Sequence, residues 1–176
     1  MRPGRAAAVA AMLAAASCST QPRQRPAPPA PPVLTPAPGA VMSARAYVTS
    51  AASFDLFVIR AAQLAETRAR DPRVQAQARA ELSDHRGLAA QLSFAGRRLN
   101  LLPSAAMLDS DAKRLASLTA SADLDAAYKR EMIGRHLHQL RTSRDVAARS
   151  PSPTLRPVAR NAAAVLARHL GQLDAL

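Results

Sequence analysis

Cysteine, glycine, aromatic side chains and lysine are all scarce in this 176-residue chain, and each shortage removes a class of protein. A single cysteine excludes a disulfide framework and any thiolate zinc cluster. Six glycines leave little room for a phosphate-cradling loop. Aromatics at 3%, with no tryptophan, argue against a β-sandwich or barrel, whose strands draw on Tyr, Phe, Trp and β-branched residues. Only Lys113 and Lys129 are lysines, so the formal net charge of +12 rests almost wholly on arginine. A GC-rich genome encodes such an Arg-, Ala- and Pro-rich, Lys-poor composition without selection for a polyanion. A basic balance still permits contact with anionic lipid or polysaccharide through summed surface potential. With no recognisable nucleic-acid motif and no basic–aromatic interleaving, nucleic acid is not an expected partner. What is abundant is alanine, with leucine and arginine, all strong helix formers, and the expected class is all-α.

The N-terminus reads as an export signal. Met1-Arg2-Pro3-Gly4-Arg5 is a short cationic opening, and the apolar run Ala6 to Ala16 has signal-peptide length and is too short to span a bilayer. The run ends Leu13-Ala14-Ala15-Ala16-Ser17-Cys18, small residues leading to the chain's one cysteine. This resembles the lipobox of bacterial lipoproteins, in which the cysteine thiol is acylated and becomes the first residue after cleavage; Ala15 stands where that pattern prefers Leu. The expectation is a lipoprotein-type signal peptide over 1–17 and a lipidated Cys18 holding the chain at a membrane, each buried methylene contributing ~0.8 kcal/mol. Removing Arg2 and Arg5 leaves a net charge of +10. In a Gram-negative host, Ser19 rather than Asp after the cysteine resembles the outer-membrane sorting signal, placing the domain on the periplasmic face of the envelope. Gln21 to Gly39 holds eight of the fourteen prolines and no acidic residue. Proline lacks the amide donor and fixes φ, so residues 18–42 are expected to form an anchor and an extended tether.

Residues 43–176 are expected to form one domain, divided by capping signals. Asp71-Pro72 supplies an N-cap with proline at the first helical position, Leu102-Pro103-Ser104 ends one helix and caps another, Ser121-Ala122-Asp123 caps before Leu124, and Ser152-Pro153 repeats the cap-plus-proline device. The predicted helices run over 44–70, 72–98, 104–119, 123–149 and 153–175. Apolar residues recur at helical spacing in the four long segments: Tyr47, Phe54, Phe57 or Val58, Ala61 and Leu64; Val74, Ala78, Leu82, His85, Ala89 and Leu92; Leu124, Tyr128, Met132, His136 and Leu140, broadened by Ile133 and Leu137; and Leu155, Val158, Ala162, Val165, Leu166, His169, Leu173 and Leu176. Four such helices joined by short turns pack best as an antiparallel four-helix bundle, with the short third helix in the crossover.

Three of the four histidines, His85, His136 and His169, fall on apolar stripes of three different helices. His138 lies about 200° around its helix from His136 and cannot grip the same ion. A di-iron centre of the ferritin kind needs inward carboxylates with two Glu-x-x-His pairs, and the chain has only Glu66, Glu81 and Glu131 and no such pair. Glu81 and His85, four residues apart, are the nearest approach to a ligand pair. Neutral imidazoles suit zinc and copper, so a three-histidine metal site at His85, His136 and His169 is the alternative to three hydrogen-bonded core histidines with partners such as Asp84-His85 and Arg135-His136. No Ser/His/Asp or Cys/His arrangement is present, and neither an enzyme activity nor a resident cofactor is expected.

The runs Phe54-Asp55-Leu56-Phe57-Val58-Ile59, Gln63-Leu64-Ala65, Val74 to Asp84-His85, Leu124-Asp125-Ala126-Ala127-Tyr128 with Met132-Ile133 and His136, and Leu155 to His169-Leu170 resemble the DUF4142 domain of unknown function. That family comprises exported bacterial proteins, and the resemblance implies a ferritin-like helical bundle across about 130 residues. Val58 replaces a usual acidic residue, Ala112 a common histidine and Arg135-His136 a second Asp-His, which narrows the polar positions open to a metal. The combined expectation is a non-enzymatic, lipid-anchored envelope protein with an interaction or stress-related role and a possible envelope-protein or anionic lipid or polysaccharide partner. The alternative is a ferritin-like bundle binding zinc, copper or iron through its internal histidines.

Overall fold

Capping chemistry places most of the helix starts where the sequence puts them. A computed structural model describes residues 41–176, and among these all regular structure is helical. The signal segment, Cys18 and most of the tether lie outside the described residues. Helix α1 (Ala44–Arg68) starts after Ser43, whose hydroxyl accepts from the Ala46 amide, and α2 (Pro72–Arg98) starts after Asp71, whose carboxylate accepts from Arg73 N. Helix α3 spans Asp109–Thr119; α4 (Leu124–Arg149) is capped by Asp123, and α5 spans Leu155–Asp174.

Two helix starts differ from the expectation by more than one residue, and α1 ends at Arg68, two residues early. The third helix starts at Asp109, not at 104, while α2 ends at Arg98 as expected. Asn100 takes φ 53°, Asn100 N donates to Arg97 O and Leu101 N to Gly96 O, a Schellman ending with asparagine in the left-handed position. Gly96 lies so close beneath the returning chain that a Cβ there would stand 2.5 Å from Leu101 O. The chain then runs without regular structure, bending at Ala105-Ala106, to Leu108, whose amide donates to Ser53 Oγ of α1. The fifth helix starts at Leu155 instead of 153, with Ser152 Oγ accepting the Leu155 amide.

Helix α1 packs along α2, and α4 along α5, while α1 also meets α4 and α2 meets α5, so the four long helices form a helical bundle. At one end the starts of α1 and α5 meet the ends of α2 and α4 through Tyr47, Val48, Leu92, Ala95, Val146 and Leu155. Toward the other end Ala61, Ala65, Val74, Leu124, Leu170 and Leu173 form a second apolar cluster. There the Asp125 carboxylate accepts both the Arg70 and Asp71 amides, tying the turn between α1 and α2 to the start of α4. Much of the interface is alanine, which lets helices approach closely but buries little area. Complete burial of Phe57, Met132 and Leu166, each contributing about 1.5–3 kcal/mol, therefore carries much of the stability.

The predicted stripe of α1 is buried except for Leu64, and on α5 Leu155, Leu166, His169 and Leu173 are buried while Val158, Ala162, Val165 and Leu176 lie at the margin. On α4 Leu137 is 40% exposed and lies off the core face. On α2 the buried face includes Gln77, Glu81, His85, Leu88 and Leu92, leaving Leu82 and Ala89 at its margin. This rotation puts two polar side chains inside that a stripe drawn from apolar residues alone assigns to the surface.

Candidate metal centre

Midway along the bundle the interior turns polar. His85, His136 and His169 are each completely buried, with one ring nitrogen apiece meeting within 4.8 Å of the others. His138 is exposed on the far side of α4, as its spacing requires. The α2 face carries Gln77, Glu81 and His85 on successive turns, and α4 carries Tyr128, Met132 and His136 in the same way. A four-residue step keeps side chains on one face, so a local rule on each helix stacks donors that only packing joins.

Every histidine is oriented by a bond from its outward nitrogen. His85 Nδ1 lies 2.8 Å from Asp55 Oδ1, His136 Nδ1 2.8 Å from the Met132 carbonyl, and His169 Nε2 2.8 Å from Asp84 Oδ2. A carbonyl only accepts, so His136 Nδ1 carries hydrogen and its Nε2 presents a lone pair. The carboxylates hold His85 and His169 in the corresponding tautomers, and the Gln77 amide, 3.5 Å from His169 Nδ1, donates to that inward lone pair. In the tautomers in which Asp55 and Asp84 accept, one nitrogen of each ring turns a lone pair toward the same space. His85 Nε2 and His136 Nε2 stand only 3.3 Å apart. Two lone pairs at that distance repel unless a cation or a shared proton lies between them. Tetrahedral coordination at 2.0–2.1 Å separates ligand atoms by about 3.3 Å, the spacing of this pair.

Glu81 adds a carboxylate. Its Oε1 lies 3.6 Å from His169 Nδ1 and 4.0 Å from His136 Nε2, and it accepts from Gln77 Nε2 at 3.0 Å. Tyr128 OH donates to the other oxygen. Burial alone would raise the Glu81 pKa, but the facing His169 and His136 rings and the Tyr128 and Gln77 hydrogen bonds outweigh it and hold the group below its ordinary value. Tyr128 is correspondingly pushed well up by burial and by the Glu81 charge, so it remains a donor. Burial depresses His136 to about 4, against which the attraction of Glu81 is the smaller effect, and the ring is neutral at ordinary pH. A neutral ring keeps its lone pair free. Asp55 is shifted upward by its complete burial, opposed by the hydrogen bond and charge of His85.

The packing around the cluster is aromatic and ionic. Phe54 meets both His85 and His136 edge-on, with centroids 5.2 and 5.3 Å away, while His136 and His169 stack at 5.6 Å. The Arg135 guanidinium lies over the Phe54 ring at 5.4 Å and pairs with buried Asp111 of α3 at 2.8 Å. Asp111 in turn accepts from Ser53 Oγ at 2.6 Å. Helix α3 is thus pinned to α1 and α4 beside the cluster.

The sequence finds all three clustered histidines and the kinship of Glu81 with His85, but assigns their partners wrongly. Asp84 bonds His169, not its neighbour His85, because adjacent residues on a helix diverge by about 100°. Arg135 pairs with Asp111 instead of the His136 ring for the same reason. Asp55, Gln77 and Tyr128 are not assigned to the site by the sequence reading; Asp55 on the buried face of α1, one residue from Phe54, is the signal that could have found one of them. Ala112 is exposed on α3, so the departure there takes nothing from the cluster.

A family model for DUF4142, a domain of unknown function, matches residues 29–176. No curated protein matches the chain. Among solved structures, one described as "CopM in the Cu(I)-bound form" is similar, with a TM-score of 0.64 and 14% identity over 76% of this chain and 94% of that one. At that identity the likeness is one of fold.

Proposed function

The chain belongs to the DUF4142 family, and from its buried cluster we propose that it binds a single transition-metal ion through His85, His136, His169 and Glu81. The carrying observation is the convergence of three buried imidazole nitrogens within 4.8 Å of one another, two of them 3.3 Å apart, with each outward nitrogen fixed by a hydrogen bond. Such outer partners set the tautomer and raise ligand basicity in histidine metal sites. Imidazole-rich donors favour copper, zinc or iron over magnesium and calcium. The copper named for the structurally similar CopM makes copper the first ion to test and zinc the second. Complete burial of the histidines favours retention of the ion over turnover of a substrate, in keeping with a non-enzymatic protein. The same layout supports a ferritin-like antiparallel four-helix arrangement with α3 in the crossover, its central site built from three histidines and one carboxylate in place of paired Glu-x-x-His motifs.

Elemental analysis of the full chain, purified without a histidine tag and exposed to Cu(I), Cu(II) or Zn(II), should return about one ion per chain for at least one of them. A value near zero for all three would sink the proposal. Asp55→Asn keeps an acceptor beside His85 Nδ1 but removes its charge, and is expected to weaken metal binding roughly 10–100-fold without abolishing it. A metal competition titration reads that change, and unaltered affinity would remove Asp55 from the site.

We also propose that the chain is exported and held on the periplasmic face of the envelope, at the outer membrane in a Gram-negative host, by acylation of Cys18. Mass spectrometry of the mature N-terminus should show acylated Cys18 as the first residue; cleavage elsewhere with a free thiol would refute this.

A further inference from the structure

The histidine layer divides the bundle into halves of different charge. The half containing the start of α1, the end of α2, the end of α4 and the start of α5 comprises residues 43–54, 86–108 and 137–167. It holds nine arginines, all exposed, and one acidic residue, Asp145, which pairs with Arg149. The other half holds eleven basic and eleven acidic residues. Basic residues are thus spread evenly along the molecule, as a compositional bias would leave them, whereas acidic residues are almost wholly withheld from one end. A GC-rich genome does not choose an end. The sequence continues this asymmetry, since no acidic residue precedes Asp55 and the chain enters α1 at this end with Arg23 and Arg25 upstream.

The same end carries the two most exposed large apolar side chains among the described residues, Phe94 at 57% and Leu102 at 71%. Phe94 lies on the last turns of α2 with Arg97 over its ring at 5.9 Å, and it borders a shallow apolar hollow with Ala90, Pro157 and Val158. Arg98 adjoins Phe94, Pro153 and Pro157 in a second hollow. Apolar tips set among arginines, with a single acid in that half, match the boundary between anionic headgroups and acyl chains; a soluble polysaccharide would use the arginines but leave Phe94 and Leu102 without a role.

We propose that this end of the bundle docks on an anionic phospholipid surface, through Arg97, Arg98 and Arg156 with Phe94 and Leu102 entering the interface. The docked orientation places the evenly charged half and the turn between α1 and α2 away from the membrane. The inference is independent of metal binding and of acylation.

The test uses the full chain with phosphatidylcholine vesicles, either neutral or containing about 30% phosphatidylglycerol, at about 50 and 500 mM salt. An N-terminal anchor contributes to both vesicle types, so the ratio of the two partition constants reads the bundle surface. That ratio should exceed roughly tenfold at low salt and collapse at high salt. Arg97→Gln/Arg98→Gln/Arg156→Gln should lower it by about tenfold or more, while Arg79→Gln/Arg130→Gln, at the other half, should leave it unchanged. Phe94→Ser/Leu102→Ser should weaken binding to anionic vesicles without changing retention on a soluble polyanion such as dextran sulfate. All substituted residues are exposed, and helical circular dichroism confirms the fold of each variant. A ratio near one, equal effects of both arginine sets, or vesicle binding indifferent to Phe94→Ser/Leu102→Ser would each overturn the proposal, the last in favour of a polyanionic glycan.

Discussion

One equivalent of the bound ion raises the thermal midpoint of the full chain by roughly 10 °C, and the His136→Leu variant abolishes that rise. The magnitude follows from linkage: a ligand at a hundred times its Kd contributes about 2.7 kcal/mol to the folded state, and each kcal/mol moves a domain of this size by about 3–5 °C. His136 is the informative position because its Nε2 faces His85 Nε2 at 3.3 Å while its Nδ1 bonds a carbonyl of its own helix. Leucine there removes one ligand, fills a similar volume and relieves the confrontation of lone pairs. The metal-free variant should lose no more than about 1 kcal/mol of stability, or gain some, since replacing buried polar groups by packed apolar ones is often neutral or stabilising. A functional site costs stability in its empty state, and a merely structural histidine does not. Scanning calorimetry with and without metal separates the two: a variant that keeps the metal-dependent rise would show that His136 is not a ligand, and one that unfolds outright would show that the cluster holds the core together.

Phe54→Ala should be among the most destabilising single changes in the domain, costing about 3–5 kcal/mol. The ring is 1% exposed and is shared by three interactions, T-shaped contacts with His85 and His136 and the Arg135 guanidinium over its face. An aromatic pair adds about 0.5–1.5 kcal/mol beyond its buried area, and the alanine-rich interface offers few large neighbours to collapse into the hole. A cost of that size is a large part of a total stability of about 5–15 kcal/mol, so the thermal midpoint should fall by roughly 10–20 °C. Metal affinity should fall as well, because both rings lose the surface that fixes their orientation. Phe54→Leu, which keeps most of the volume, should lose less than half as much stability. Urea denaturation of the three proteins checks the order, and a loss below about 1 kcal/mol for the alanine variant would mean that Phe54 does not organise the site.

The sequence by itself determined helix, number of helices and most of the starts. Alanine, leucine and arginine favour helix locally, and Ser43, Asp71 and Asp123 cap by bonding amides two or three residues away, so their effect is written within one turn. It also brought out His85, His136 and His169, because a polar residue inside an apolar stripe stands out in one dimension. It could not settle their partners. Asp55, Gln77 and Tyr128 meet the histidines across 30, 92 and, through Glu81, 47 residues of chain. Which way a polar side chain on the edge of a stripe turns depends on a rotation of the helix that packing alone sets. The late start of α3 was equally hidden, since the path from Asn100 to Asp109 depends on where α3 must go to bring Asp111 to Ser53 and Arg135. The tertiary structure decided that three separately placed rings share one space, because only the alignment of helix against helix fixes their common level. It likewise turned a net charge that names no partner into one basic end and one neutral end, since three stretches of chain with a single acidic residue among them, far apart in sequence, meet on the same side of the histidine layer.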